Sequence, residues 1–237
     1  MATTSSINHI NNIAAAVRAY LQHYEAEAAG LATLVEQLAS GDRRLSCRSN
    51  MIGHLTASAL VLRHNTEDQE ESQENPTNIQ VLLIHHRALN RWLQPGGHLD
   101  HDEAPEAGAR RELMEETGLT AVELLDGFNG PNGVFDIDSH LIPANPGKNE
   151  GSHYHHDFQY IYSLNMPPAV RNQGQESQTN AAGVLEISLQ EDEVAQFAWI
   201  NLSELATGQY GKRLERVAHK LNRAVQNKKI VTVGKLS

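Results

Sequence analysis

The chain has 237 residues, 40% of them apolar, with a formal net charge of −10 and one cysteine, Cys47. This suits one large domain or a domain with an extension, no run reaches the roughly 18 apolar residues of a membrane span, and a lone cysteine excludes an intramolecular disulfide or a cysteine-rich metal site. The acidic balance argues against sequence-independent binding of DNA or long RNA, which needs a positive surface, and Met1 to His9 lacks the basic and apolar regions of a signal peptide, so a cytoplasmic location is expected.

Ile10, Ile13, Ala14, Val17, Tyr20, Leu21 and Tyr24 recur at helical spacing, and Leu31, Leu34, Val35 and Leu38 do so again. The spacing predicts two amphipathic helices, over 6–24 and 27–40, the second closed by Gly41. Their apolar stripes need a partner: the rest of this chain, or a second subunit in a homodimer. Residues 1–46 are therefore set apart as a helical extension, and 47–237 as the main domain. His54 to Leu62 and Ile79 to Ile84 read as strands joined by the polar loop 65–78.

Next comes Trp92-Leu93-Gln94-Pro95-Gly96-Gly97-His98, whose paired glycines let the backbone approach a ligand closely. Pro105 stands where a first helical turn tolerates proline. Ala107 to Thr117 contains good helix formers, and Gly118 supplies a left-handed stop. On that helix Glu112, Glu115 and Glu116 stand at i, i+3 and i+4 and share a face. Like charges at this spacing repel. A hard divalent cation removes the conflict, since oxygen-rich clusters are what Mg²⁺ or Mn²⁺ binds; for three glutamates alone, a solvated acidic face is the plainer reading.

Val122 to Leu125, Val134 to Ile142 and His153 to Leu164 are further strands. In the second of these, Asp136, Asp138 and His140 alternate with apolar residues; in the third, His153, His155, Asp157 and Gln159 share one face. If the two strands pair, the polar sets meet. The result is a polar face open to water, a substrate-contact or acid/base surface, or a separate transition-metal site. Ala181 to Leu189 reads as a strand after the polar loop 171–182, Gln190 to Glu193 as an acidic turn, and Ala195 to Ile200 as another strand. Leu214, Val217, Ala218, Leu221, Ala224 and Val225 form the stripe of a closing helix over 209–227. Lys212, Arg213, Arg216, Lys220, Arg223, Lys228, Lys229 and Lys235 crowd the C-terminus and read as a solvated helix face. Strands flanked by helices suggest an α/β fold, an α/β/α sandwich around a mixed sheet.

Gly97, Glu103, Arg111, Glu112, Leu113, Glu115, Glu116, Gly118 and Leu119 fill every position of the pattern G-x5-E-x7-R-E-U-x-E-E-x-G-U, with U aliphatic. The stretch from Gly97 to Leu119 thus resembles the Nudix box. The resemblance implies the same sandwich fold and a Mg²⁺-dependent hydrolase, with Mn²⁺ as a substitute, that cuts a diphosphate linkage in a nucleoside diphosphate derivative. It implies Glu112 and Glu116 as metal ligands with Glu115 beside them, and the carbonyl of Gly96 or Gly97 as a further ligand. The general base is then one of these glutamates or a distal acid, Glu191 or Glu193, ahead of the strand that holds Trp199. Arg111 and Glu103 orient carboxylates rather than touch substrate. His98, His153, His155, Asp157 and Glu193 are the candidate substrate contacts. The expected substrate is a small nucleotide, ADP-ribose-like or similar. The alternative is a Nudix domain that binds a nucleotide as a sensor. An isomerase on the same fold uses a catalytic cysteine, and Cys47, ahead of the first strand, is badly placed for that.

Overall fold

The apolar periodicities of the sequence become helices and strands in the computed structural model, which describes residues 4–64, 79–125, 133–164 and 187–226. In order these are α1 (Thr4–His23), a 3-10 helix (Glu25–Leu31), α2 (Ala32–Ala39), β1 (Gly53–His64), β2 (Ile79–His86), β3 (Arg91–Leu93), β4 (Gly96–His98), α3 (Pro105–Thr117), β5 (Val122–Leu124), β6 (Asp136–Ile142), β7 (His153–Leu164), β8 (Val194–Asn201), α4 (Leu202–Leu205) and α5 (Lys212–Gln226). The class is the α/β one expected, with the N-terminal helices in place. Among the described residues no helix is long and apolar enough to cross a membrane. The chain divides into two compact units, one of residues 1–59, 96–112 and 126–160, the other of residues 60–95, 113–125 and 161–237. β1, α3 and β7 each run from the first unit into the second.

In the first unit, α1 buries Ile13, Ala16, Val17 and Tyr20, and the segment after it buries Leu31 and Leu34. α1 packs on α2, on the 3-10 helix and on β6, so the stripes find their partner within the chain. The Tyr20 side chain is fully buried, and its hydroxyl lies 3.0 Å from Asp136 Oδ1 and beside the Glu27 carboxylate, with one proton to share between them. Burial pushes its pKa far up, and the Asp136 and Glu27 carboxylates add to the shift, so the phenol stays a donor. β4 lies antiparallel on β1, with Thr56 opposite His98 and Ser58 opposite Gly96. β6 lies antiparallel on β7, placing Asp136 opposite Gln159, Asp138 opposite Asp157 and His140 opposite His155.

In the second unit β2 takes β3 on one part of its length, β8 along nearly all of it and the end of β1 at its start, all antiparallel. β5 pairs with the end of β7. α5 buries Leu214, Val217, Ala218, Leu221 and Ala224, the stripe expected of it, and packs on α4.

Some expectations need correction. The predicted 27–40 helix opens as a 3-10 helix and turns α-helical only at Ala32; it contains Gly30, a poor helix former. β3 and β4 were not expected, because three residues are too few to display a period of two. Of the predicted strand 181–189, residues 181–186 lie outside the described residues, and Ile187 to Leu189 are not in a strand. Their backbone has other work: Ser188 N donates to Thr117 O at 2.9 Å and Gln190 N to Glu116 O at 3.3 Å, satisfying carbonyls that a helix C-terminus leaves open. The closing helix starts at Lys212, after Gly208 and Gly211 at positive φ. Loops 65–78 and 171–182 and Lys228, Lys229 and Lys235 lie outside the described residues.

His156 is completely buried between the N-terminal helices and β6. Gln37 Oε1 can only accept, so His156 Nε2–H donates to it at 2.8 Å, and Nδ1 accepts from the Ser139 hydroxyl at 2.7 Å. Burial, with His54 and His140 nearby, lowers the His156 pKa from 6.5 to about 4. The depressed value means that the unfolded chain binds this proton first as pH falls. Its contribution is therefore complete above pH 6.5 and gone below about pH 4. Urea unfolding midpoints should fall between pH 6.5 and 4.5, and His156→Gln should show a shallower fall over the same window.

Candidate functional site

The site is built on α3 and on the loop that leads into it. Pro105 opens the helix, and Gly118 closes it at φ 70, a conformation that disfavours any residue with a Cβ. Arg111 is the hub of the first unit's part of this stretch. Its Nε and Nη2 donate to Glu103 Oε1 and Oε2 at 3.0 and 2.9 Å, a two-point grip on one carboxylate. Nη1 donates to Glu112 Oε1 at 2.9 Å and Nη2 to the His98 carbonyl at 2.9 Å. Glu103 also accepts from Asp100 N at 2.9 Å. Burial works against its charge, but the hydrogen bonds from Arg111 and Asp100 hold its pKa below the usual carboxylate value. Arg111 thus links Glu103 to Glu112.

The Glu112 carboxylate lies against the backbone of Gly97. A Cβ built on Gly97 would stand 2.5 Å from both Cδ and Oε1 of Glu112, so a side chain at this position of β4 would push aside the carboxylate that Arg111 holds. In the second unit, Glu116 is buried at 2% exposure, while Glu115 is exposed. α3 is continuous, so helical geometry gives Glu112 and Glu116 the same face. Glu193, also in the second unit, is exposed; its carbonyl accepts from Arg87 N at 2.8 Å, and the Glu191 carbonyl accepts from Arg87 Nε at 2.6 Å. Both acids bond here through their main chain. Cys47 is a free thiol 3.1 Å from the Ser49 hydroxyl.

The β6–β7 pairing brings together the polar sets that the alternation predicts, but not facing water: His153 and Asp157 are each 4% exposed. The open-surface reading of that face therefore falls. Asp157 accepts from the Thr56 and Ser58 hydroxyls of β1 at 3.1 and 2.8 Å. His98, His153 and His155 do converge, and His54 of β1 joins them. The His54 ring lies 5.1 Å from that of His98, 4.9 Å from that of His153 and 4.7 Å from that of His155, and His140 stands 5.7 Å from His155. Burial, reinforced by the neighbouring positive groups, lowers His98 to about 4 and His155 to about 2 and shifts His54 down as well. These rings are neutral at pH 7. Sequence reasoning missed His54, Thr56 and Ser58, which sit in an otherwise apolar strand. Only the long-range packing shows where their side chains go: His54 to His98 and His155, Thr56 and Ser58 to Asp157.

A family model described as the NUDIX domain matches residues 56–221. The "Probable DHNTP pyrophosphohydrolase" of Lactococcus lactis subsp. cremoris is 32% identical over 134 residues, 56% of this chain and 68% of the relative. The "RNA pyrophosphohydrolase" of Bartonella henselae is 43% identical over 47 residues, 19% of this chain and 27% of that one. The crystal structure of a C. elegans Ap4A hydrolase binary complex superimposes with a TM-score of 0.48 at 15% identity, covering 73% of this chain and 98% of that one.

Arg111→Lys keeps the charge and loses the fork. Because hydrogen bonds between charged groups are the strong ones, urea unfolding should show a loss of about 2 kcal/mol, with the circular dichroism spectrum of the native state unchanged.

Proposed function

The chain belongs to the Nudix family and is a Nudix pyrophosphohydrolase, and from that premise we propose that it hydrolyses, with Mg²⁺, the diphosphate linkage of a small nucleotide, ADP-ribose-like or similar. The observation that carries the metal assignment is the Glu112 carboxylate held by Arg111 against Gly97, where a Cβ would collide. Glu112 and Glu116 are the direct ligands, Glu115 stands beside them, and the Gly97 carbonyl completes the protein's share; Mn²⁺ substitutes, since both are hard oxygen-seeking ions.

A diphosphate resists water because its oxygens repel a nucleophile and its leaving group is poor. A bound Mg²⁺ supplies charge neutralisation at those oxygens and makes a bound water more acidic. The protein's residues do the rest. Arg111 and Glu103 fix the Glu112 carboxylate before substrate arrives, so little reorientation remains for the reaction itself. A carboxylate that is not tied up as a ligand takes the water's proton: Glu115 on α3, or the exposed Glu193. His98 and His155 are neutral, and with His153 they can offer hydrogen bonds to a substrate. The Lactococcus relative is named for DHNTP, which supports a small-molecule substrate. Residues 1–46 are a helical extension that braces β6 through Tyr20 and Asp136, and 47–237 are the hydrolase domain.

The test is a phosphate-release panel of NTPs, dNTPs, ADP-ribose, nucleotide sugars, NADH, CoA and dinucleoside polyphosphates, each with Mg²⁺ or Mn²⁺. One substrate should stand clear of the others. On it Glu116→Gln should lose about a hundredfold or more in kcat, since even the outer partners of metal ligands are worth about 10–100-fold. Near-normal turnover by Glu116→Gln would remove the metal assignment, and nucleotide binding by calorimetry without any turnover would mean a sensing module.

A further inference from the structure

We propose that His54 of β1, His98 of β4 and His155 of β7 form a second metal site, one for a transition ion of the Zn²⁺ kind, separate from the carboxylates of α3. One nitrogen from each of the three rings lies within 4.8 Å of the others. Three imidazole nitrogens around Zn²⁺ at about 2.0–2.1 Å stand about 3.4 Å apart, so closing the site asks for small side-chain movements and no change of fold. The residues come from three strands whose positions the backbone pairing fixes, since β4 is bonded to β1 and β1 neighbours β7.

The hydrogen bonding leaves a donor waiting. His54 is 1% exposed, and its Nδ1 lies 3.2 Å from the Asn50 carbonyl. A carbonyl only accepts, so Nδ1 carries the proton and Nε2 carries the lone pair. That Nε2 is buried and has no hydrogen-bond partner. A carbonyl on the far nitrogen is also the usual support of a metal-binding imidazole. His153 repeats the arrangement: its Nδ1 faces the Gly151 carbonyl at 2.8 Å, and its Nε2 points at His155 Nε2 at 3.3 Å. A neutral His155 can carry its proton on Nε2 and donate to His153 Nε2, or carry it on Nδ1 and leave Nε2 free for an ion.

The donor chemistry separates this site from the one on α3. Imidazole nitrogens suit Zn²⁺, Cu²⁺, Fe²⁺ or Ni²⁺, whereas Mg²⁺ takes oxygen. Three protein ligands leave a fourth position for water or an anionic ligand, with His153 and the His140–Asp138 pair, 3.0 Å apart, flanking it. An ion here would tie β4 to β1 and β7, and so hold Gly97 and the His98 carbonyl that Arg111 bonds. The site does not depend on the pyrophosphohydrolase reading.

Co²⁺ is the probe, because tetrahedral nitrogen coordination gives it intense visible d–d bands. Chelator-stripped full-length protein should develop such bands, saturating at one equivalent. His155→Gln and His54→Gln should lose them or bind at least tenfold more weakly, while Glu112→Gln should keep them; circular dichroism checks that each variant folds. X-ray absorption at the Zn edge on wild-type protein should show three histidine nitrogens and needs no variant. A wild-type spectrum like that of aqueous Co²⁺, bands that survive both histidine replacements, bands lost equally in Glu112→Gln, or a Zn²⁺ shell with fewer than three imidazoles would each overturn the proposal.

Discussion

The box depends on one guanidinium. Arg111 reaches two carboxylates and one backbone carbonyl, and without it Glu103 and Glu112 would be charges of the same sign on the same short stretch. Because Arg keeps its proton at any physiological pH and its donors lie in a fixed plane, it sets where the carboxylates point as well as cancelling their charge. The Glu103 grip fixes the guanidinium, the guanidinium fixes Glu112, and Glu112 closes on Gly97. Each link fails with a different substitution, and none touches the apolar core.

The second constraint is the cost of burying polar groups. The first unit places three carboxylates, six imidazoles and several hydroxyls along β1, β4, β6 and β7, most of them out of water. Unpaired, each would oppose folding. The structure answers with pairs: Asp157 with Thr56 and Ser58, His156 with Gln37 and Ser139, Asp136 with Tyr20. Tyr20 and Gln37 come from the N-terminal helices, so the extension satisfies buried polar groups of β6 and β7 as well as covering apolar surface. Among the described residues, buried His54 Nε2 and Gln159 Oε1 have no hydrogen-bond partner; the first lies in the histidine cluster and points to an ion there.

How much of this the sequence shows follows from the range of each interaction. The box was legible because its constraints are local: a tolerated proline, a stop glycine and three glutamates on one helical face. The polar alternation of β6 and β7 was legible for the same reason, since period two survives over seven residues or more. β3 and β4 were not, being too short to carry a period. Ile187 to Leu189 looked like a strand by composition, yet their amides serve the end of α3, a tertiary use that propensity cannot register. His54 was hidden in an apolar strand, and only the long-range packing brings it to His98. The partner of the N-terminal stripes was likewise a question of packing, settled by Tyr20 and its bond to Asp136.

The central claim is that Glu112, held by Arg111, and Glu116 of the same helix bind the hard divalent cation. Mn²⁺ binding followed by electron paramagnetic resonance tests it without any substrate. Wild-type protein should quench the free-ion signal, Glu112→Gln should weaken that quenching at least tenfold, and His155→Gln should leave it unchanged. Equal Mn²⁺ affinity in wild type and Glu112→Gln would contradict the account.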